Sequence, residues 1–292
     1  MKVYLTGANG QLGRAMNRAL SHDSVTIINT EAPAIAEKCD MRALDITDVD
    51  VVLAAMREEQ PDVIVNCAAY TAVDKQESDI DLSYKINAIG ARNLAIAASD
   101  TGARLAHVST DYVFDGKGTR PYLEFDRTDP VSVYGKTKLA GEEFVKAFAD
   151  RYYILRTAWL YGDGNNFVRT MLRLAETHDQ VSVVRDQVGT PTSAAELALA
   201  IRHLYTTDNY GIFHATCEGD CSWADFAEEI FSLAGKQTQV NRVTTAEYTA
   251  MNPQSAVRPA YSILDNYMLR LTSDYRFADW HDAIRSYMED KQ

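Results

Sequence analysis

The sequence predicts an α/β protein: an open, doubly wound parallel sheet with a smaller α/β domain interleaved with it. Three observations carry this. Short apolar runs alternate with helix-length stretches through the first half, the first run turns at once into a glycine-rich loop and a helix, and strand-helix alternation resumes after residue 161.

At 292 residues, 46% of them hydrophobic, the chain can bury a substantial core in one large domain or a large one with a smaller partner. The 41 acidic and 29 basic residues leave a net charge of -12, which argues against bulk affinity for nucleic acid or anionic membrane. Met1-Lys2-Val3-Tyr4-Leu5 runs directly into the glycine loop, leaving no room for a secretory signal, and no apolar run reaches membrane-spanning length. A cytoplasmic protein with neither membrane nor nucleic acid as partner is expected. Cys39, Cys67, Cys217 and Cys221 are scattered, and Cys217-x-x-x-Cys221 lacks a second ligand pair, so no metal site is expected.

Lys2 to Leu5 reads as a strand, followed by Thr6-Gly7-Ala8-Asn9-Gly10-Gln11-Leu12-Gly13 and a helical Arg14 to Leu20. Glycines permit a tight turn and close backbone approach, and a helix N-terminus offers free N–H groups and a positive dipole end to a pyrophosphate. The loop is therefore a dinucleotide cradle in a Rossmann-like sheet, with Gly7, Asn9, Gly10, Gln11 and Leu12 as candidate cofactor contacts. A second strand, Val25 to Asn29, leads to Thr30 and Glu31. An acid at the end of that strand favours bare ribose hydroxyls, so Glu31 leans towards NAD. Asp45 and Ile46 are candidates for the adenine end, a solvated loop carboxylate being the other reading of Asp45. Asp62 to Ala69 is a buried-type strand closing on small residues, and Ala68 and Ala69 would let a flat ligand lie against the backbone. Asp81 to Ser99 carries Leu82, Ile86, Ile89, Leu94 and Ala98 at helical period and reads as one long packed helix. Asn87 within it is a structural hydrogen-bonder or part of a proton relay at the cofactor.

Leu105 to Val108 is another strand, and Ser109-Thr110 sits at its carboxyl end, where open parallel sheets bind ligands. A polar loop leads to a helix over Ser132 to Phe148, which places Tyr134 and Lys138 one turn apart on one face. Spacing alone is weak evidence, since with 16 tyrosines roughly half a Tyr-x-x-x-Lys match arises by chance. Tyr287 and Lys291 make a second match, but no strand ending in Ser or Thr precedes them, and they read as a frayed surface helix. Context selects Tyr134. A carbonyl receiving hydride from a nicotinamide develops negative charge on oxygen and needs a proton donor and a hydrogen-bonding partner. Tyr134 would give the proton and Thr110 orient the oxygen. Lys138 would draw the phenol below its ordinary pKa of ~10 and hold the nicotinamide ribose.

Tyr153 to Arg156 is the last clear strand of the first domain. Phe167 to Ala175 is a helix whose Arg169 and Arg173 face a nucleotide diphosphate or simply solvent. Val181 to Val184, Ala195 to Tyr205 and Gly211 to Ala215 continue the alternation, so the chain re-enters the first domain. The expected division is a dinucleotide-binding domain over 1–160, with return segments near 194–217, and a substrate domain over 161–292. Ser222 caps a helix with Phe226, Ile230 and Phe231 inward. Arg258, fixed before Pro259, suits a diphosphate.

These stretches resemble a known family. The glycine loop and Tyr-x-x-x-Lys are those of the extended short-chain dehydrogenases/reductases. Asn66 to Lys75, Ser109 to Gly116, Val133 to Gly141, Arg156 to Gly162, Asn165-Asn166-Phe167, Asp186 to Thr192 and Arg258-Pro259-x-x-Ser262 are similar to the dTDP-4-dehydrorhamnose reductases, nearly end to end. The resemblance implies reduction of the 4-keto group of dTDP-4-dehydro-L-rhamnose, with NADPH as the usual donor and NADH accepted by some relatives. It implies Tyr70 at the cofactor and a sugar-nucleotide site of Thr110, Asp111, Tyr112, Tyr134, Trp159, Asn166 and Arg258, with Tyr112 and Trp159 against the sugar. Alternatives are another NDP-4-keto-sugar reductase or epimerase, or a non-catalytic dinucleotide-binding regulatory subunit. A dehydratase on this fold has a glutamate where this chain has Tyr112. Some relatives dimerise around a metal held by glutamates, one of them just after the third glycine. Here Arg14-Ala15 stands there, so no metal bridge is expected, and either a monomer or a homodimer is compatible with the sequence.

Overall fold

Six runs form parallel strands, Lys2–Thr6 (β1), Thr26–Glu31 (β2), Arg42–Ala43 (β3), Val63–Asn66 (β4), Arg104–Thr110 (β5) and Tyr152–Thr157 (β6), of which β1, β4, β5 and β6 are apolar and largely buried while β3 is an exposed edge. The structure is a computed structural model and describes residues 1–290. After β6 the chain leaves the sheet through Leu160–Tyr161 (β7), Gln180–Val184 (β8), Val188–Gly189 (β9) and Thr192–Ser193 (β10), then returns as Gly211–His214 (β11). The resulting seven-stranded sheet has the order β11-β6-β5-β4-β1-β2-β3, with every pairing parallel. Strand order reverses between β1 and β4, which opens a crevice at their carboxyl ends.

Helices Gln11–Leu20 and Ala194–Leu204 cover one face through Leu12, Met16, Leu197 and Ile201. Val49–Glu59, Gly90–Thr101 and Val133–Phe148 cover the other through Met56, Leu94 and Val145. A second core gathers Val168, Phe226, Ile230, Trp280 and Ile284. Around it Cys221–Ser222 (β12) pairs with β9, and Gln239–Val243 (β13) pairs with β8. Ser222 and Asp225 close a reciprocal capping box on helix Trp223–Leu233, as the sequence suggested for Ser222.

Two expectations are corrected. Asp81 to Ser99 is not one regular helix: Ile80–Tyr84 passes through a π turn at Lys85–Ile89 before Gly90–Thr101. The extra residue rotates one half against the other, so Leu94 and Ala98 are buried while Leu82 is 45% exposed. Nor is Tyr287 frayed: its hydroxyl donates to the Gly162 carbonyl at 2.8 Å and its ring meets Tyr161 edge-on. Buried Trp280 and Ile284 anchor that helix, and Lys291 lies outside the described residues. No described helix is long and apolar enough to cross a membrane.

Candidate active site

At the crevice, Gly7 adopts a φ of 64° that a side chain would strain, and a Cβ there would meet the Ala68 nitrogen at 2.8 Å. A Cβ on Gly13 would lie 2.3 Å from the Gly7 carbonyl oxygen, so the third glycine is what lets the helix pack against the turn. The amides of Gln11, Leu12 and Gly13 head helix Gln11–Leu20, where no earlier turn can accept them. This cradle, cationic in its dipole and cleared of side chains, fits a dinucleotide diphosphate. Leu12 offers only its backbone, because its side chain lies in the core. Arg14 donates to the Asn9 carbonyl and side chain at 2.9 and 2.8 Å, fixing the loop.

Glu31 is committed elsewhere than the sequence suggested. Its carboxylate accepts the Asn9 amide at 3.0 Å and the Ala32 amide at 3.1 Å, so it braces the glycine loop, and its lean towards NAD loses its basis. Asp45 is exposed and accepts from the Thr47 amide and hydroxyl, while Ile46 is buried against Gly90. Ala68 and Ala69 follow β4 beside the loop. Asn87 sits in the π turn with its amide fully engaged: Oδ1 accepts the Tyr70 amide, and Nδ2 faces the Tyr70 carbonyl, Gln76 and Thr137. It ties the Tyr70 loop to the helix of Tyr134.

Thr110 is the last residue of β5, and Ser132 caps helix Val133–Phe148 by accepting the Gly135 amide. A Cβ on Gly135 would stand 2.2 Å from the Tyr112 carbonyl oxygen, so this glycine lets the helix start press against the turn after β5. Thr110 and Tyr134 thereby become neighbours. The Tyr112 ring packs edge-on to Tyr134, centroids 5.3 Å apart. Burial pushes Tyr134 up to about 12, the Thr110 hydroxyl pulls it down, and the Asp111 charge raises it. Lys138 was expected to lower this phenol. Instead its ammonium donates to the Val108 carbonyl at 2.5 Å, and burial outweighs any help to Tyr134. Burial also brings Lys138 down to about 8, with Glu142 and then Cys67 opposing.

Sequence reading missed Glu142, one turn beyond Lys138. It is 0% exposed, accepts the Ser109 hydroxyl at 2.5 Å and takes the Arg156 guanidinium through two nitrogens. The signal was available in the i, i+4 spacing from Lys138, but its partners lie on β5 and β6.

Against the second core, Trp159 holds a φ of 48° and stacks on Trp223 at 3.5 Å. A Cβ on Gly189 would strike that indole at 2.6 Å. Nothing in the sequence marked Trp223. Beyond it a cleft of about 650 Å³ is lined by Phe167, Gln187, Tyr248, Val257 and Arg258. Arg258, which lines the cleft, donates to both oxygens of Asp74 at 2.9 and 3.0 Å. Asn166, expected at the sugar, caps helix Phe167–Leu174 and gives its amide hydrogens to Gly162, Gly164 and Gln11. Those bonds place it at the glycine loop. Arg169 pairs with Asp163 and Arg173 is exposed, the solvated reading of both.

The RmlD substrate binding domain model matches residues 1–292. The dTDP-4-dehydrorhamnose reductase of Sinorhizobium fredii is 40% identical, over 98% of this chain and 96% of its own length. This chain belongs to the dTDP-4-dehydrorhamnose reductase family. The spore coat polysaccharide biosynthesis protein SpsK of Bacillus subtilis is 41% identical, over 99% of this chain and 98% of its own. A crystal structure of the reductase from Clostridium acetobutylicum superposes with a TM-score of 0.94 at 51% identity, covering 100% of both chains. The Bacillus anthracis reductase, crystallised in complex with NADP, gives 0.92 at 41% identity, covering 100% of this chain and 99% of its own. A UDP-glucose 4-epimerase from Thermus thermophilus, at 19% identity, shares the fold.

Proposed function

We infer that this chain reduces the 4-keto group of dTDP-4-dehydro-L-rhamnose to dTDP-L-rhamnose, using NADPH. One observation carries the reading in a member of this reductase family. Thr110 and Tyr134 meet at the carboxyl edge of the sheet that also bears the glycine cradle, with Lys138 one turn behind Tyr134. NADPH supplies the hydride when bound. Tyr134 gives its proton to the developing alkoxide, and Thr110 directs its hydroxyl at the same oxygen. Lys138 exchanges the Val108 carbonyl for the nicotinamide ribose. Gly7, Asn9, Gly10, Gln11 and Leu12 hold the diphosphate, Ala68, Ala69 and Tyr70 border the cofactor, and Asp45 and Ile46 lie towards adenine.

Residues 1–160, with the return near 194–217, carry this cofactor, and the remainder of 161–292 carries the sugar nucleotide. Tyr112 and Trp159 lie against the sugar, and Arg258 leaves Asp74 to hold the diphosphate. The protein is cytoplasmic and acts on this small molecule alone, as a monomer or homodimer. An elimination or epimerisation would recycle bound cofactor, and the Tyr112 ring on Tyr134 supplies no second carboxylate for it.

Purified protein given dTDP-4-dehydro-L-rhamnose should consume NADPH one for one and yield dTDP-L-rhamnose by NMR. Folded, cofactor-binding protein that leaves NADPH unoxidised overturns the reading.

A further inference from the structure

Asp111 is a buried carboxyl for which the reduction as described has no use. It is 2% exposed, and its Oδ1 accepts the Thr110 hydroxyl at 2.8 Å. Its Oδ2 has no hydrogen-bond partner among the described residues. The Ser262 hydroxyl lies beside the carboxyl. On the other side of the same Thr110 hydroxyl stands the phenol of Tyr134. A threonine hydroxyl has one proton to donate. It can serve the carboxylate of Asp111 or the phenolate of Tyr134, and the two ionised forms therefore compete. Lys138 is turned to the Val108 carbonyl, which leaves Thr110 as the donor beside the phenol.

We propose that Asp111 is the proton reservoir of the catalytic tyrosine and recharges Tyr134 through Thr110 after each reduction. This rests on the reductase reading above. The hydride of NADPH bonds to C4 of the sugar while the carbonyl π pair takes the Tyr134 proton; the keto carbon is reduced and NADPH becomes NADP⁺. Tyr134 is left as phenolate. Thr110 then turns from the product hydroxyl and passes its proton to the phenolate as the Asp111 carboxyl proton passes to the Thr110 oxygen. A single negative charge moves from Tyr134 to Asp111, which regains a proton from water when product leaves.

The surroundings suit a carboxyl that holds a proton near neutrality. Burial raises Asp111 to about 6, with the Ser262 and Thr110 hydroxyls and the Tyr112 amide pulling it back. Tyr134 faces it from the catalytic helix and Tyr112 from its own turn, while Arg258 and Asp74 act on Tyr112. Lys138, lowered to about 8, titrates above this range and acts on Cys67 and His107.

The test compares wild type, Asp111→Asn and Ser262→Ala, each loaded with NADPH and the 4-keto sugar nucleotide, across pH in H₂O and D₂O. Asp111 must start protonated, so wild-type turnover falls as pH rises through the range near 6. Asp111→Asn keeps a polar side chain but has no acid proton to give. It loses this limb, about tenfold or more in kcat, and the part of the solvent isotope effect that belongs to the second transfer. Ser262→Ala removes a hydroxyl that favours the carboxylate and moves the limb to higher pH. Folded Asp111→Asn that keeps the wild-type limb and isotope effect, or changes only KM, refutes the relay. Should that variant not fold, an unshifted limb in Ser262→Ala refutes it equally. A wild type that never oxidises NADPH fails the reductase reading itself, whereas an active wild type with unaltered variants fails the relay alone.

Discussion

Two arginine–carboxylate pairs flank the site, alike in chemistry and opposite in setting. Arg156 and Glu142 meet at 2.7 Å with side chains 4% and 0% exposed. Arg258 and Asp74 meet at 2.9 Å with 29% and 52% exposed. Removing one partner of a buried pair strands a charge in a low dielectric, whereas an exposed pair exchanges its partner for water or another anion at small cost. The first pair therefore fixes the wall behind Lys138, and the second is a clasp which, on the proposed reading, a diphosphate replaces.

The largest expected effect comes from the wall. Glu142→Gln should lose about 3–5 kcal/mol in urea unfolding, because Arg156 is left unpaired. Glu142→Leu with Arg156→Met should recover most of that. A double variant as unstable as the single would break the distinction between the pairs. Tyr134→Phe, between them, should fold normally yet lose at least about a hundredfold in kcat, or ~2.7 kcal/mol. Near-normal turnover there would remove Tyr134 as the proton donor. At the clasp, Arg258→Ala should raise KM for the sugar nucleotide about tenfold with kcat little changed, as for a lost charge-assisted contact. Asp74→Asn should alter stability by less than about 1 kcal/mol and lower KM, since Arg258 is freed for its ligand. A KM that rises in Asp74→Asn would mean that the exposed pair is as structural as the buried one.

What could be read from the sequence divides along the same line. The glycine loop, Thr110 at a strand end, and Tyr134 with Lys138 announce themselves within a few residues, because turns, strand ends and helical spacing are local. Asp74 and Arg258 stand 184 positions apart, and no local pattern couples them. Glu31 and Asn166 are hard to read for another reason. A polar side chain beside a loop can hold a ligand or hold the loop, and both of these hold backbone amides. Periodicity also cannot see a π turn, whose extra residue turned Leu82 outward. Trp223 opened a helix with nothing to distinguish it from a core residue, and only the fold brought Trp159 onto its face.

That stack gives the protein a native optical reporter. Of three tryptophans, Trp159 and Trp223 lie face to face at 3.5 Å against the second core, with Trp223 lining the cleft, while the third, Trp280, is buried in that core and stacks on His281. Indoles so close share their excited state, and Trp159 is held there by a backbone conformation that non-glycine residues seldom adopt. On the proposed reading, a sugar ring settling on Trp159 should change the coupled signal, so that occupancy of the cleft could be followed in unlabelled protein by its own ultraviolet light.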